Sequence, residues 1–333
     1  MGGCSMSTES IDAFEEDVLR ITGCDVIWPE MISMEHRFLT FLDVGSTQAL
    51  GGYNQANMNF LGDKASTYAS EFVKSVGGIA QVPNAFGIGA LILSMFLDLA
   101  LSTAKKTPSA ESVLLSVFSQ EKVSEVRDLV DAYTKRWKAN IRDGEKMIEE
   151  TRHYEQLLSD QLTRVRNSML RDGQGNTRSV RVWMHGAAFH VHMNIYQEAL
   201  RRAQGSRNAD LDIGGRQRIL SYIDDYIKES ENLLEKYKTF RKESLSIEGR
   251  CPVWTDVCKP ETLVVNENGQ SIKIKSRTFY GGGASDCKIK ILDRYLEKMY
   301  TRCPPPEAFK NFLLKTKNKL NTLLLQTGSF PIQ

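Results

Sequence analysis

The sequence predicts an all-α protein, a multi-helix bundle around a buried central helix, with a small C-terminal region that contains a β-hairpin and helices. Three observations lead to this prediction. Residues 110–171 contain no proline and repeat apolar residues at helical spacing. Residues 75–97 carry no charged side chain, so one helix is apolar enough for the interior. The strongest hairpin signal, Asn268-Gly269, comes only after these helices.

Three helices are expected before the apolar stretch. Each repeats apolar residues at helical spacing, and their predicted ranges are 9–22, 31–43 and 57–76. Glycine is expected to break the chain at Gly45 and at the Gly51-Gly52 pair. Residues 1–8 are expected to form a flexible N-terminus.

The apolar stretch itself, Val82–Leu101, is either a membrane span or the core helix of a bundle. At about 1.5 Å per residue, Ala85 to Leu101 would be roughly 25 Å long, a little short of the ~30 Å hydrocarbon layer. One narrow stripe of the helix is polar and consists of Ser94, Asp98, Ser102 and Lys105. A lipid-facing helix rarely carries such a stripe, whereas a bundle helix with one edge near water does. We therefore expect a buried bundle helix whose polar edge lies near water.

Long helices follow the apolar stretch. Gly144 is expected to divide residues 110–171 into two helices, and the glycine-rich loop Asp172–Thr177 ends the second. Thr177 or Ser179 can cap the next helix, Val180–Ala203, whose apolar side is very wide. This helix is therefore expected to be the buried central helix, and residues 213–246 form a further amphipathic helix.

The C-terminal region, residues 249–333, changes character, and the helical bundle is expected to cover residues 9–248. The expected hairpin pairs Thr262–Val265 with Ser271–Lys275. Basic helices follow from Lys288 and from Pro306 to about Gln326. Their lysines and arginines alternate with apolar and acidic residues, which is typical of a solvated helix face, so we expect no nucleic-acid partner. With a net charge of +2, the whole chain has the composition of a soluble globular protein.

Three of the five histidines, His185, His190 and His192, lie on the predicted central helix. His185 and His192 share its apolar side but are about 10 Å apart along the axis, so one metal ion cannot bind both. Buried, hydrogen-bonded core histidines are the preferred interpretation. The alternative is a pH switch, because protonation of His185 or His192 inside the bundle would loosen the packing near pH 5–6.

Motifs of catalysis and of cofactor binding are missing. Gly281-Gly282-Gly283 lacks the Lys-Ser or Lys-Thr of a phosphate loop, and the pair Gly87 and Gly89 lacks the third glycine and the preceding strand of a dinucleotide fold. The chain has no Gly-x-Ser-x-Gly elbow and no local Cys and His signature. The sequence therefore predicts a protein that is not an enzyme and that has neither a cofactor nor a metal.

The cysteines and the N-terminus bear on the compartment. The first thirty residues lack a basic segment followed by an apolar one, so we expect no signal peptide and a cytoplasmic protein, either free or associated with membranes. Gly2 and Cys4 are candidates for lipidation, although Met6 replaces the expected Ser or Thr. In an oxidising compartment the four C-terminal cysteines would form two disulfides, whereas in the cytosol they would be reduced; they are Cys251, Cys258, Cys287 and Cys303.

One segment of the central helix carries a resemblance to a known family. Ala188–Ala199 reads A-F-H-V-H-M-N-I-Y-Q-E-A and aligns without a gap with A-A-N-L-H-L-x-L-L-R-D-A, a pattern of the central helix in the insecticidal δ-endotoxins, or crystal toxins. His192 matches the motif histidine, Met193 its following leucine, and Gln197-Glu198-Ala199 its Arg-Asp-Ala. Residues 82–245 thus resemble the N-terminal helical domain of these toxins and of their animal relatives, the rapunzel-like and cephalotoxin-like proteins.

The resemblance extends to other helices. Val82-Pro83, with the two glycines that follow, looks like the entry to the first toxin helix, and Trp137 suits the third. Lys236–Phe240 is similar to the end of the helix after the central one. The seventh toxin helix and the β-domains are replaced here by the cysteine-containing region.

The resemblance implies a membrane-active, pore-forming-toxin-like bundle that inserts a helical hairpin into the bilayer and forms homo-oligomers there. By position, the hairpin consists of Glu145–Arg171 and the central helix. The first of these is rich in charge, which makes insertion costly unless the charged residues line water. The alternative is an intracellular, rapunzel-like interaction or developmental protein that keeps the toxin fold without forming pores.

Overall fold

The structure is a computed structural model that describes residues 8–29, 32, 34–106, 125–172, 175–205, 209–250, 259–267, 270–275 and 285–332. Helices dominate this part of the chain. They are α1 (Thr8–Thr22), α2 (His36–Leu42), α3 (Ser46–Leu61), α4 (Ala65–Ser75), α5 (Ile88–Lys105), α6 (Glu125–Ala139), α7 (Gly144–Arg171), α8 (Thr177–Ala203), α9 (Ala209–Ser244), α10 (Ser285–Arg302), α11 (Ala308–Asn318) and α12 (Leu320–Leu324). The predicted all-α bundle is confirmed.

Two small antiparallel sheets accompany the helices. One has the strand order β2 (Leu245–Arg250), β3 (Lys259–Glu267) and β4 (Gln270–Lys275). Glu267 pairs with Gln270, as expected for a hairpin closed by the two residues Asn268-Gly269, which themselves lie outside the described residues. The other sheet pairs β1 (Gln81–Pro83) with β5 (Ser329–Pro331). Neither β2 nor the second sheet was predicted.

The chain forms two compact units. Unit 1 contains Met1–Ser33, Ser168–Val180 and Glu231–Glu307, and unit 2 contains Met34–Asn167, Arg181–Ser230 and Ala308–Gln333. Helices α7, α8 and α9 contribute residues to both. Each unit therefore combines segments that are distant in sequence.

A cluster around Trp28 holds the segments of unit 1 together. The Trp28 ring stacks on Tyr237, with ring centres 5.7 Å apart, and its Nε1–H donates to the carbonyl oxygen of Cys303 at 2.8 Å. Cys24 and Cys303 form a disulfide. The first turn after α1 is thereby linked covalently to the end of α10.

Helix α8 is the core helix of unit 2. Every residue from Val182 to Leu200 is buried, which confirms the predicted central helix. Small residues permit this close packing: a Cβ on Gly186 would lie 2.7 Å from Leu162 Cδ2 and 3.2 Å from Val126 Cγ1. The backbone N–H of Ser179 donates to the Asn176 side chain at 2.8 Å, so Asn176 caps the helix rather than Thr177 or Ser179.

The predicted break at Gly51-Gly52 is wrong, because both glycines lie inside α3. Helical glycine costs about 1 kcal/mol relative to alanine. In α3 this cost is offset by tertiary packing, since the helix buries Leu50 and Leu61 and contacts α5. The interruption comes later, at the short 3-10 turn Gly62–Lys64.

Candidate functional site: an apolar helix with an internal polar face

Helix α5 is fixed at its start by α3 and by a close backbone approach. Gly87, at a φ of 51°, donates its N–H to Ser46 Oγ at 2.8 Å. A Cβ at Gly89 would lie 2.3 Å from the carbonyl oxygen of Asn84, so only glycine fits this position. Glycine at these two positions therefore permits the tight entry to the helix.

The polar stripe of α5 faces inward. Ser94, Asp98 and Ser102 are 0%, 2% and 4% exposed, whereas Leu99 is 52% exposed. The expectation that this stripe lies near water is therefore wrong for these three residues, whereas Lys105 is half-buried. Both sides of α5 are apolar, since Leu91, Leu93 and Leu97 are buried beside the stripe and the half-buried Phe96 lies on the outward side.

Asp98 has two partners inside unit 2. Its carboxylate accepts a hydrogen bond from the Tyr53 hydroxyl and lies 3.0 Å from Arg37 Nη2. Burial and the neighbouring Asp98 carboxylate raise the pKa of Tyr53. Burial lowers the pKa of the Arg37 guanidinium, but the charges of Asp98, Tyr53 and Glu35 and the hydrogen bond to Asp98 together outweigh this effect, so the pKa is raised. The cluster anchors the polar face of α5 to α2 and α3.

The length and composition of α5 suit a bilayer as well as a protein core. Among the described residues, Ile88–Lys105 is the one helix that is long and apolar enough to cross a membrane, with a mean hydropathy of 1.6 over 18 residues. Core helices of soluble proteins meet the same criterion, and 67% of this helix is buried.

His185 and His192 lie in the interior of unit 2. His185 Nε2 accepts from the backbone N–H of Glu35 at 3.1 Å, and its Nδ1 lies 2.9 Å from the Arg181 carbonyl oxygen. His192 stacks on Phe312, and within the described part of the chain its buried Nε2 has no hydrogen-bond partner. The prediction of a buried, hydrogen-bonded core histidine thus fits His185, whereas for His192 the structure shows the burial and leaves Nε2 unpaired among these residues. Burial lowers the pKa of each imidazole to about 3.

The third histidine, His190, belongs to a buried network that the sequence analysis did not identify. Its Nε2 lies 2.7 Å from Glu155 Oε1, and its Nδ1 lies 3.1 Å from the Tyr226 hydroxyl. Asn194 donates to the same carboxylate oxygen at 3.1 Å. Burial raises the pKa of Glu155, but the contacts with His190, the hydrogen bond from Asn194 and the charge of Arg218 together outweigh this effect, so the pKa is lowered. Because these groups lie on α7, α8 and α9, sequence spacing alone could not bring them together.

The residues that carried the toxin resemblance are also in the interior. Ala188, Met193 and Ala199 are buried apolar residues, and His192 lies among them. Glu198 is buried and accepts from Arg201 at 2.8 Å and from Arg218 at 3.0 Å. All five therefore have a packing or ion-pairing role that accounts for their chemistry.

The cysteine pairing differs from the expectation. Cys303 is buried and bonded to the exposed Cys24, not to another cysteine of the last quarter. This partner was missed because 279 residues separate the two cysteines. Cys287 lies in α10. The lipidation candidates Gly2 and Cys4 and the disulfide candidates Cys251 and Cys258 lie outside the described part of the chain.

Fold and site together define a helical-bundle protein in which one apolar helix has its polar face turned inward. Within the described residues, no group of three or more His, Cys, Asp or Glu side chains is placed to hold a metal ion. In comparisons with known proteins, no family model, no curated protein and no solved structure matches the chain.

Proposed function

We propose that this protein is a non-enzymatic, membrane-active helical bundle similar to pore-forming toxins, and that it forms homo-oligomers on the bilayer. The observation that supports the proposal is that α5, an apolar helix, keeps its polar stripe with Asp98 inside the bundle and exposes Leu99. In water, exposing the outward apolar side of α5 contributes nothing to the stability of the bundle. In lipid, the same face meets hydrocarbon, while the polar face stays against other helices or lines water.

The dimensions of α5 support this proposal. Eighteen residues at about 1.5 Å each give roughly 27 Å, close to the ~30 Å hydrocarbon layer. Asp98 is the one charged residue between Ser75 and Thr103. Helix α5 would enter the bilayer with its polar stripe facing a partner helix, because an isolated carboxylate in hydrocarbon is unfavourable by several kcal/mol.

The contacts favour α5 over the α7–α8 hairpin as the first element to enter. The hairpin would carry the Glu155 carboxylate with His190 into lipid, and it would separate Arg166 from Glu229. The Arg166–Glu229 pair is partly exposed, and so is the Arg37 side chain beside Asp98, so release of either element breaks one partly buried ion pair. The hairpin is less favourable because it also takes the buried Glu155 and His190 into lipid, whereas Asp98 is the one charged residue of α5 before Lys105.

A second candidate function is that of a non-enzymatic intracellular interaction protein. The observation that favours it is that 67% of α5 is already buried and that Asp98 has partners within the bundle. In this case the outward face of α5 would contact another protein, and the helix would never leave the bundle.

Release of a trapped dye from liposomes at pH 7 and pH 5 distinguishes the two candidates. The wild-type protein is expected to cause leakage, and Leu99→Glu to reduce its rate at least tenfold, because the change puts a charge on the face that meets lipid. Leu314→Glu is the matched control, since Leu314 is a 39% exposed leucine on α11. No leakage by the wild type at either pH, with or without limited proteolysis, would refute the membrane function.

A further inference from the structure

The ends of α3 and α5 form an exposed aromatic tip. The two helices run in parallel: Ser46 bonds Gly87 at their start, Tyr53 bonds Asp98 midway, and Phe60 meets Lys105 near their end. The Phe60 ring is 71% exposed, and the Lys105 ammonium lies 4.2 Å from its centre.

The tip, defined as Phe60, Lys64, Lys105 and Lys106, is basic. Lys64 follows Phe60 in the turn after α3, and Lys106 ends α5. Between Phe60 and Lys64 the chain has one acidic residue, Asp63. Lysines at helix C-termini are common because they complement the negative end of the helix dipole. That role does not explain a phenylalanine that is 71% exposed among them.

A second lysine–phenylalanine contact lies nearer the middle of α5. The Lys138 ammonium lies 5.6 Å from the centre of the Phe96 ring, on the outward side of the helix. An aromatic ring with cations beside it suits the boundary between lipid headgroups and acyl chains, where the ring is buried and the cations meet phosphate. Anionic lipids add attraction for each lysine.

We propose that the tip docks on anionic phospholipid bilayers, with Phe60 entering the headgroup boundary and the lysines contacting lipid phosphates. This inference rests on the proposed membrane function and names the surface and the lipid class that it uses. Docking through the tip presents the C-terminal end of α5 to the bilayer before the helix is released.

Sedimentation with vesicles tests the docking surface. We compare vesicles of phosphatidylcholine alone with vesicles that also contain phosphatidylserine. Binding by the wild type is expected to be at least tenfold tighter to the anionic vesicles and to weaken with salt. Phe60→Ser is expected to weaken this binding about tenfold, and Lys105→Glu more than fivefold, because it reverses a charge.

Matched controls come from exposed residues elsewhere in unit 2. Leu325→Ser removes a 69% exposed apolar side chain, and Lys135→Glu reverses an exposed charge on α6; neither should change binding more than twofold. Equal binding to both kinds of vesicle would overturn the inference. So would Phe60→Ser binding as the wild type does, or Phe60→Ser abolishing self-association in solution while binding to vesicles is unchanged.

The outcomes separate this inference from the proposed function. If the wild type neither binds vesicles nor releases dye, the membrane function fails and the docking surface fails with it. If the wild type binds and releases dye while Phe60→Ser and Lys105→Glu do so equally well, only the docking surface is overturned.

Discussion

Lowering the pH from 7 to 5 should weaken unit 2 through two buried imidazoles, those of His185 and His192. Burial lowers the pKa of each to about 3 from an ordinary value of 6.5. Both are neutral in the folded protein at pH 5, whereas the unfolded chain takes up a proton at each below pH 6.5. The unfolded state therefore binds more protons between pH 6.5 and pH 3, and stability falls as the pH falls through this window.

The magnitude follows from the width of the window. One pH unit corresponds to 1.36 kcal/mol for each group, so between pH 6.5 and pH 5 each histidine contributes about 2 kcal/mol of destabilisation. The carboxylate of Glu155 has a lowered pKa, so its stabilising effect is lost only as the pH falls below about 4.5. Between pH 7 and pH 5, the change in the free energy of unfolding therefore contains the contribution of His185 and His192 but not that of Glu155.

Urea unfolding at pH 7 and pH 5 measures the effect. His192→Phe keeps the aromatic contact with Phe312, and His185→Gln keeps an acceptor for the Glu35 N–H. Each change should remove about 2 kcal/mol of the difference between the two pH values, whatever it does to stability at pH 7.

His36 and His153 are exposed, and their replacement by Gln provides control substitutions for the same measurement. If His185→Gln and His192→Phe together leave the full pH difference in place, the linkage argument is refuted. The same variants then show whether dye release at pH 5 depends on these imidazoles.

Two further predictions concern packing and the disulfide. Gly186→Ala should lower the free energy of unfolding by about 1–3 kcal/mol, because its Cβ would clash with buried side chains. Gly52→Ala, which has open space around it in α3, should raise the free energy of unfolding by about 0.5–1 kcal/mol. Equal thermal midpoints for the two variants would contradict the close packing of α8. Replacing both Cys24 and Cys303 by Ser should lower the stability of unit 1 by about 2–5 kcal/mol and make its urea midpoint much less sensitive to reductant, whereas an unchanged response would show that another bond is responsible.

Local signals in the sequence predicted the long helices and the hairpin well, but the predicted helix 57–76 is divided between α3 and α4 by the turn Gly62–Lys64. The Asn268-Gly269 pair identified the hairpin of β3 and β4, and apolar spacing identified α7, α8 and α9 to within a few residues at most of their ends. The wide apolar side of α8 correctly indicated the central helix. These features depend on neighbours within a few residues, which a sequence displays directly.

Features that depend on distant partners were missed. The stripe of Ser94, Asp98 and Ser102 was visible, but its direction was not, because the groups that satisfy Asp98 lie on α2 and α3. Likewise, three-residue strands such as β1 and β5 show no periodicity, and Gln81 bonds Ser329 across 248 residues. The residues next to Asp98 and to Gln81 in the sequence do not show which distant residues they bind.

The pairing of β1 with β5 has a consequence for synthesis of the chain. This pairing, and the hydrogen bond from Ala85 N–H to the Gly328 carbonyl oxygen, complete the entry to α5. About 224 residues separate Lys105 from Ser329, so at ~5–20 residues per second the apolar helix waits roughly 11–45 s for its last partner. A nascent chain of this protein should therefore be a substrate for chaperones that hold apolar segments until translation ends.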